Sequence, residues 1–244
     1  MNQKNFYEKR AIKEFSKTLY PYYGHWRTKQ LILSIIRSLP RGRLLDVGCG
    51  DGIFLKELEN DFDCIGLEIS ETRIKRAKKI TKKSKIIQGD AESLPFKNNS
   101  FDYVLFTEII EHLPNYKKAL KEVKRVLKSS GKVILSIPIA GLYRIILARL
   151  GKTLFLDPEE HLREWTKYKA KGFTSLKDYY DIITSVGFKI VCEYGTSIPE
   201  LPLQDTILKN KVLRQIYSKL IDNPLKNTKL KYLGRKLVYV LEKN

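Results

Sequence analysis

Thr107-Glu108-Ile109-Ile110-Glu111-His112-Leu113-Pro114 follows the apolar run Phe101–Phe106 and sets two carboxylates and an imidazole at i, i+3 and i+4. On a helical turn these three side chains share one face. A carboxylate beside an imidazole can move a proton, and two carboxylates with imidazoles can hold a divalent cation. Of the two other histidines, His161 lies in Glu159-Glu160-His161-Leu162-Arg163-Glu164-Trp165-Thr166, and His25 in the aromatic stretch Tyr20–Arg27.

A second group of residues suits a ligand. Leu44-Leu45-Asp46-Val47-Gly48-Cys49-Gly50-Asp51-Gly52 reads as a buried strand, a glycine turn and the start of a helix. Glycines let the backbone turn sharply and approach a ligand without a Cβ in the way. The spacing is GxGxG, not the GxGxxG of dinucleotide folds, and Asp46 and Asp51 flank it. Acids here disfavour a pyrophosphate and suit a cation, such as a ligand with an ammonium and a sulfonium. Glu68 ends the next strand, about 20 residues on, where a carboxylate can accept from both ribose hydroxyls. Asp90-Ala91 follows the third strand and could meet an adenine amine. Each acid alone reads equally as a turn or cap; three at successive sheet crossings are far more specific.

The elements that must position these residues alternate. Strands are expected at Arg43–Val47, Cys64–Glu68, Lys85–Gln88, Phe101–Phe106, Lys132–Ile137, Phe188–Tyr194 and Lys236–Leu241. Helices are expected near Thr28–Leu39, Ile53–Glu59, Thr72–Lys82, Tyr116–Leu127 and Leu176–Val186. Alternation of this kind argues for βα units, an α/β fold with a doubly wound, seven-stranded, mostly parallel sheet. The 244 residues fit one domain: an N-terminal cap at 1–40, a cofactor-binding core at 41–138, and acceptor-side insertions at 139–174 and 195–235.

Composition narrows the classes. No apolar run reaches the ~18 residues of a membrane span, and the N-terminus has no signal-peptide core. Cys49, Cys64 and Cys192 form no CxxC pair, so neither a disulfide framework nor a zinc knuckle is indicated. A cytoplasmic protein is expected, with peripheral membrane contact left open. The net charge of +19 raises RNA or acidic lipid as partners. Much of it falls on two amphipathic helical patterns, 73–83 and 117–125, whose basic faces read as solvated.

"LLDVGCGDG", "GLEIS", "GDAESLPF", "FDYVLFTEIIEHL" and "LKSSGKVILSIP" together resemble the class I S-adenosylmethionine-dependent methyltransferases, in the branch that includes quinone-pathway enzymes. The resemblance covers about residues 40–140. It implies a Rossmann-like methyltransferase fold, strand order 3-2-1-4-5-7-6 with the last strand antiparallel, and S-adenosylmethionine as cofactor. It further implies that Asp46, Gly48, Cys49 and Gly50 line the methionine end and that Glu68 and Ile69 hold ribose and adenine. Asp90 and Ala91 would meet the adenine edge, and Thr107 would form the turn under the sulfonium.

Three readings of the opening triple follow. It shapes the cofactor pocket; or His112, His161 or Glu111 acts as a base; or Glu108, Glu111, His112 and His161 hold a divalent metal. The last reading draws on E-x-x-E-H with "HLREWT", similar to the metal motifs of small-RNA terminal 2′-O-methyltransferases. The segment Leu142–Leu150 has apolar residues at helical spacing and reads as an ordinary core-facing helix, as a surface helix touching lipid, or as a lid over a small or lipophilic acceptor. O-methylation of such an acceptor is the expected activity, and RNA 2′-O-methylation the alternative.

Overall fold

Leu44, Leu45 and Val47 interrupt their apolar run only with Asp46, and a strand covered on both faces needs such continuity. In the computed structural model, which describes residues 3–13, 23–139, 176–196, 208, 210–234 and 236–244, this segment is β1 (Arg43–Val47), the centre of the sheet. Around it lie β2 (Asp63–Glu68), β3 (Lys85–Gln88), β4 (Phe101–Thr107), β5 (Leu127–Pro138), β6 (Phe188–Thr196) and β7 (Lys236–Lys243). The order is β3-β2-β1-β4-β5-β7-β6, with β7 antiparallel to both its neighbours and the rest parallel.

The helices are α1 (Gln3–Lys13), α2 (Tyr23–Arg37), α3 (Ile53–Leu58), α4 (Glu71–Ile80), α5 (Tyr116–Val126), α6 (Leu176–Ser185) and α7 (Lys211–Tyr217). Adjacent strand residues point to opposite faces, so Leu44 and Leu45 serve different cores. Leu44 packs with Leu31 and Ile36 of α2, Leu55 of α3 and Ala77 of α4. Leu45 packs with Leu120 and Val123 of α5 and Ile183 of α6. Helices on both faces make the sheet doubly wound. Strand order reverses between β1's two neighbours, β2 and β4, which opens a crevice at the strands' carboxyl ends.

Most expected boundaries agree with the structure to a residue or two. β5 begins at Leu127 instead of Lys132, because Leu127 pairs Phe101 before a register shift carries the ladder to Tyr103 and Lys132. α2 begins at Tyr23, five residues before the expected Thr28. Its added turn is held from outside: Arg27 is bonded to Asp222 at 2.6 Å, and Thr28 shares a hydroxyl bond with Thr196 at 2.9 Å. Within the second insertion, α7 runs into a π-helical turn, Ser218–Asp222, then a short helix, Asn223–Leu225, and a 3₁₀ turn, Lys229–Leu233. The lid Leu142–Leu150 and His161 lie outside the described residues. Among the described residues no helix is long and apolar enough to cross a membrane.

Candidate active site

β1 carries Asp46 to the carboxyl edge and hands the chain to three left-handed glycines, Gly48, Gly50 and Gly52, with φ of 71°, 55° and 81°. Side chains are strained at such angles. Space is also closed: a Cβ on Gly48 would stand 2.6 Å from Ile109 Cδ1. The turn after β4 therefore lies directly against the glycine turn. Asp46 is 1% exposed, and its Oδ2 has no hydrogen-bond partner. Burial, with the charge of Glu68 nearby, pushes its carboxyl up to about 8. Cys49 turns its thiol into the core, where burial raises its pKa.

Glu68 ends β2, buried, and accepts from the backbone N–H groups of Gly50, Ile69 and Ser70, each at 2.9 Å. It braces the glycine turn from below. These bonds use about three of the four lone-pair sites on a carboxylate, so a ribose hydroxyl would share what remains. Ile69 is half-buried beside it, while Ala91 is buried. Asp90 is half-buried and accepts from Glu92 N at 2.8 Å, a turn-capping bond.

Sequence reasoning missed the arginines of α4. That helix was expected to show a solvated basic face, and Lys75, Lys78 and Lys79 are exposed. Arg73 and Arg76 instead bend inward: a Cβ added to Gly50 would stand 3.3 Å from Arg73 Nη1, and Arg76 reaches Asp51 at 3.7 Å and Ala11 O at 2.7 Å. Asp51 on the glycine turn supplies the attraction for Arg76, which helical periodicity alone does not register. From α1, Glu8 accepts from Ser70 Oγ at 2.8 Å and from Thr72. Tyr7 stacks edge-on to His112, with ring centroids 6.4 Å apart. The N-terminal cap thus spans from the end of β2 to the end of β4.

The opening triple is not one helical face. Thr107, half-buried, ends β4 opposite Ser136. Glu108 then takes a left-handed φ of 54°, and only Ile110–His112 form a 3₁₀ turn. The reversal swings Glu108 away from the other two. Its Oε1 accepts from Ser136 Oγ at 2.8 Å and its Oε2 from Lys236 Nζ at 2.5 Å. Burial opposes its charge, yet the Lys236 ammonium prevails and holds it below the usual carboxylate range. Lys236 also meets His25 Nδ1 at 3.3 Å.

Glu111 stays behind, buried, with Oε2 unpartnered and Oε1 3.9 Å from His112 Nε2. Burial and the charge of Glu108 push Glu111 up to about 8. Tyr179 of α6, also buried, is raised by burial and by the charges of Glu111 and Glu108. Among the described residues no group of three His, Cys, Asp or Glu is placed to hold a metal ion. Lys236 is a further residue that spacing could not reveal, since it stands 128 positions from the carboxylate it pairs.

Beside the glycine turn, the buried Asp46 carboxyl oxygen without a partner is a group that could accept from a cationic ligand. A methyltransferase-domain family model matches residues 45–135. An uncharacterized protein of Methanocaldococcus jannaschii is 34% identical over 223 residues, 83% of this chain and 86% of that protein. A demethylmenaquinone methyltransferase of Staphylococcus carnosus is 29% identical over 184 residues, 68% of this chain and 75% of that one. Among solved structures, an S-adenosylmethionine-dependent methyltransferase of Thermotoga maritima, described as a possible histamine N-methyltransferase, superposes with a TM-score of 0.63. It is 22% identical and covers 99% of this chain and 98% of its own. Sequence kinship and shared fold agree, and the chain belongs to the class I S-adenosylmethionine-dependent methyltransferases.

Proposed function

We propose that the enzyme methylates an oxygen of a small, lipophilic acceptor, with Glu111 taking the acceptor's proton. Bound S-adenosylmethionine supplies a methyl group made electrophilic by its sulfonium. Asp46, Gly48, Cys49 and Gly50 would hold the methionine end, Glu68 and Ile69 the ribose and adenine, and Asp90 and Ala91 the adenine edge, with Thr107 beneath the sulfonium. The chain's own contribution is chiefly position, because such a displacement needs nucleophile, carbon and sulfur in line. It also needs somewhere for the hydroxyl proton to go.

The observation that carries this reading is Glu111: a buried carboxyl with an unpartnered oxygen, on the turn that packs against Gly48. Lys236 neutralises Glu108 and leaves Glu111 as the carboxyl with spare acceptor capacity. His112, at 3.9 Å, is placed to orient it or to pass the proton outward. Kinship to enzymes named demethylmenaquinone methyltransferases supports a lipophilic acceptor.

Glu111 works as a base only when ionised, so the transfer rate should rise with pH through about 8. Glu111→Gln should lower it by about 10²–10⁴-fold and abolish that limb. An unchanged pH profile in the variant would remove Glu111 from the mechanism. Labelled methyl groups supplied to fractionated extract should enter the lipid or small-molecule pool as a methoxy signal. Label in RNA that a chelator abolishes would favour the alternative, metal-assisted 2′-O-methylation involving His161.

A further inference from the structure

We propose that the helical face formed by Val212, Leu213, Ile216 and Leu220 docks on an anionic lipid surface. These four aliphatic side chains are 62%, 46%, 49% and 64% exposed. Residues 212, 216 and 220 follow one another at successive turns, and 213 flanks them, so they form one stripe. The stripe lies in a basic setting. Lys211, Lys219 and Lys229 are exposed around it, while the sole acid between 210 and 234, Asp222, is buried against Arg27 at 2.6 Å. No carboxylate in this stretch offsets the lysines.

A helix with an aliphatic face and basic flanks lies along a membrane interface, its apolar side among the acyl chains and its lysines among the headgroups. Anionic headgroups supply the complementary charge. A second copy would bring another net charge of +19 against the same lysines. RNA bases stack on aromatic rings, and none of the four stripe residues is aromatic.

The location gives docking a use. Asp222 and Asn223 are bonded to Arg27, and the Arg214 guanidinium lies 5.3 Å above the Trp26 ring. Both ties run to the start of α2, whose His25 meets Lys236 at the Glu108 carboxylate. A docked face would hold the catalytic edge of the sheet close to the bilayer, where a lipophilic acceptor resides. That use rests on the proposed acceptor; docking itself does not.

The test is sedimentation of the full chain, without cofactor, with vesicles of phosphatidylcholine alone or in equal parts with phosphatidylglycerol. Binding is expected to the anionic vesicles only, and to weaken as salt shortens the Debye length below about 10 Å. Ile216→Asp/Leu220→Asp and, separately, Lys211→Glu/Lys219→Glu should each weaken it about tenfold or more while leaving the melting temperature unchanged. No binding, equal binding to both vesicles, or binding that survives both variants overturns the proposal. So does a concentration-dependent dimer dispersed by Ile216→Asp without vesicle binding, which makes the face a self-interface. A sharp fall in melting temperature for Ile216→Asp/Leu220→Asp also overturns it, because the chain itself would then cover the stripe. Intact vesicle binding with no methyl transfer to lipophilic compounds would remove the acceptor reading and leave docking in place.

Discussion

Asp46 and Glu111 are carboxyls that the fold holds mainly protonated at neutral pH, since burial pushes each up to about 8. In an unfolded chain such groups titrate near 4. Between about 4 and about 8 the folded state therefore binds more protons, and stability falls as pH rises. Below that window the contribution is fully present; above it, it is gone. Asp46→Asn should flatten part of the decline in melting temperature across pH 4–8, and adding Glu111→Gln should flatten most of the rest. The same Asp46→Asn protein should gain little melting temperature from S-adenosylmethionine, whereas the parent should gain several degrees. A steep, unaltered pH dependence in the double variant would refute this assignment. Lys236 makes the contrast possible, because it fixes a charge on Glu108 and leaves none for Glu111.

Between elements, the turn from α4 to β3 hangs on one side chain. Glu59, which caps α3, accepts from Lys82 N, Lys83 N, Ser84 N and Ser84 Oγ at 2.8–3.1 Å. Burial opposes its charge, but these donors together hold it at about 2. Its stabilisation is present above the unfolded pKa and lost as pH falls through about 2. Glu59→Gln should cost about 1–2 kcal/mol at neutral pH, discounted for solvent at the turn. A lower urea midpoint at constant m would show it, and the gap should close as pH drops from about 4.5 toward about 2. Elements like these were largely legible in advance. β1 and β3 lie at their expected bounds, centred on Leu44–Val47 and Ile86–Ile87, and the glycine turn announces itself by spacing. The early start of α2, the left-handed Glu108 and the inward Arg73 were not legible. Each depends on partners from other elements, such as Asp222, Ser136 and the glycine turn, and local periodicity carries no record of them.

Across the molecule, one buried ion pair joins the beginning of the chain to its last insertion. Arg27 and Asp222 are 5% and 0% exposed at their side chains. Removing one partner from such a pair costs about 3–5 kcal/mol, because the other is left buried and unpaired. Arg27→Ala should show that loss in chemical unfolding and faster amide exchange through residues 210–225. Arg27→Met/Asp222→Leu should recover most of it. The sheet itself carries a different consequence. β7 is last in chain order yet sits between β5 and β6, and its first residue supplies the ammonium facing Glu108. Among the described residues β7 is the strand that fills β5's edge and pairs β6, so both lack that strand partner until 236–243 emerge from the ribosome. The Lys236–Glu108 pair therefore forms only with the insertion of one strand into a waiting slot. Until then the nascent sheet presents a strand edge open to mispairing.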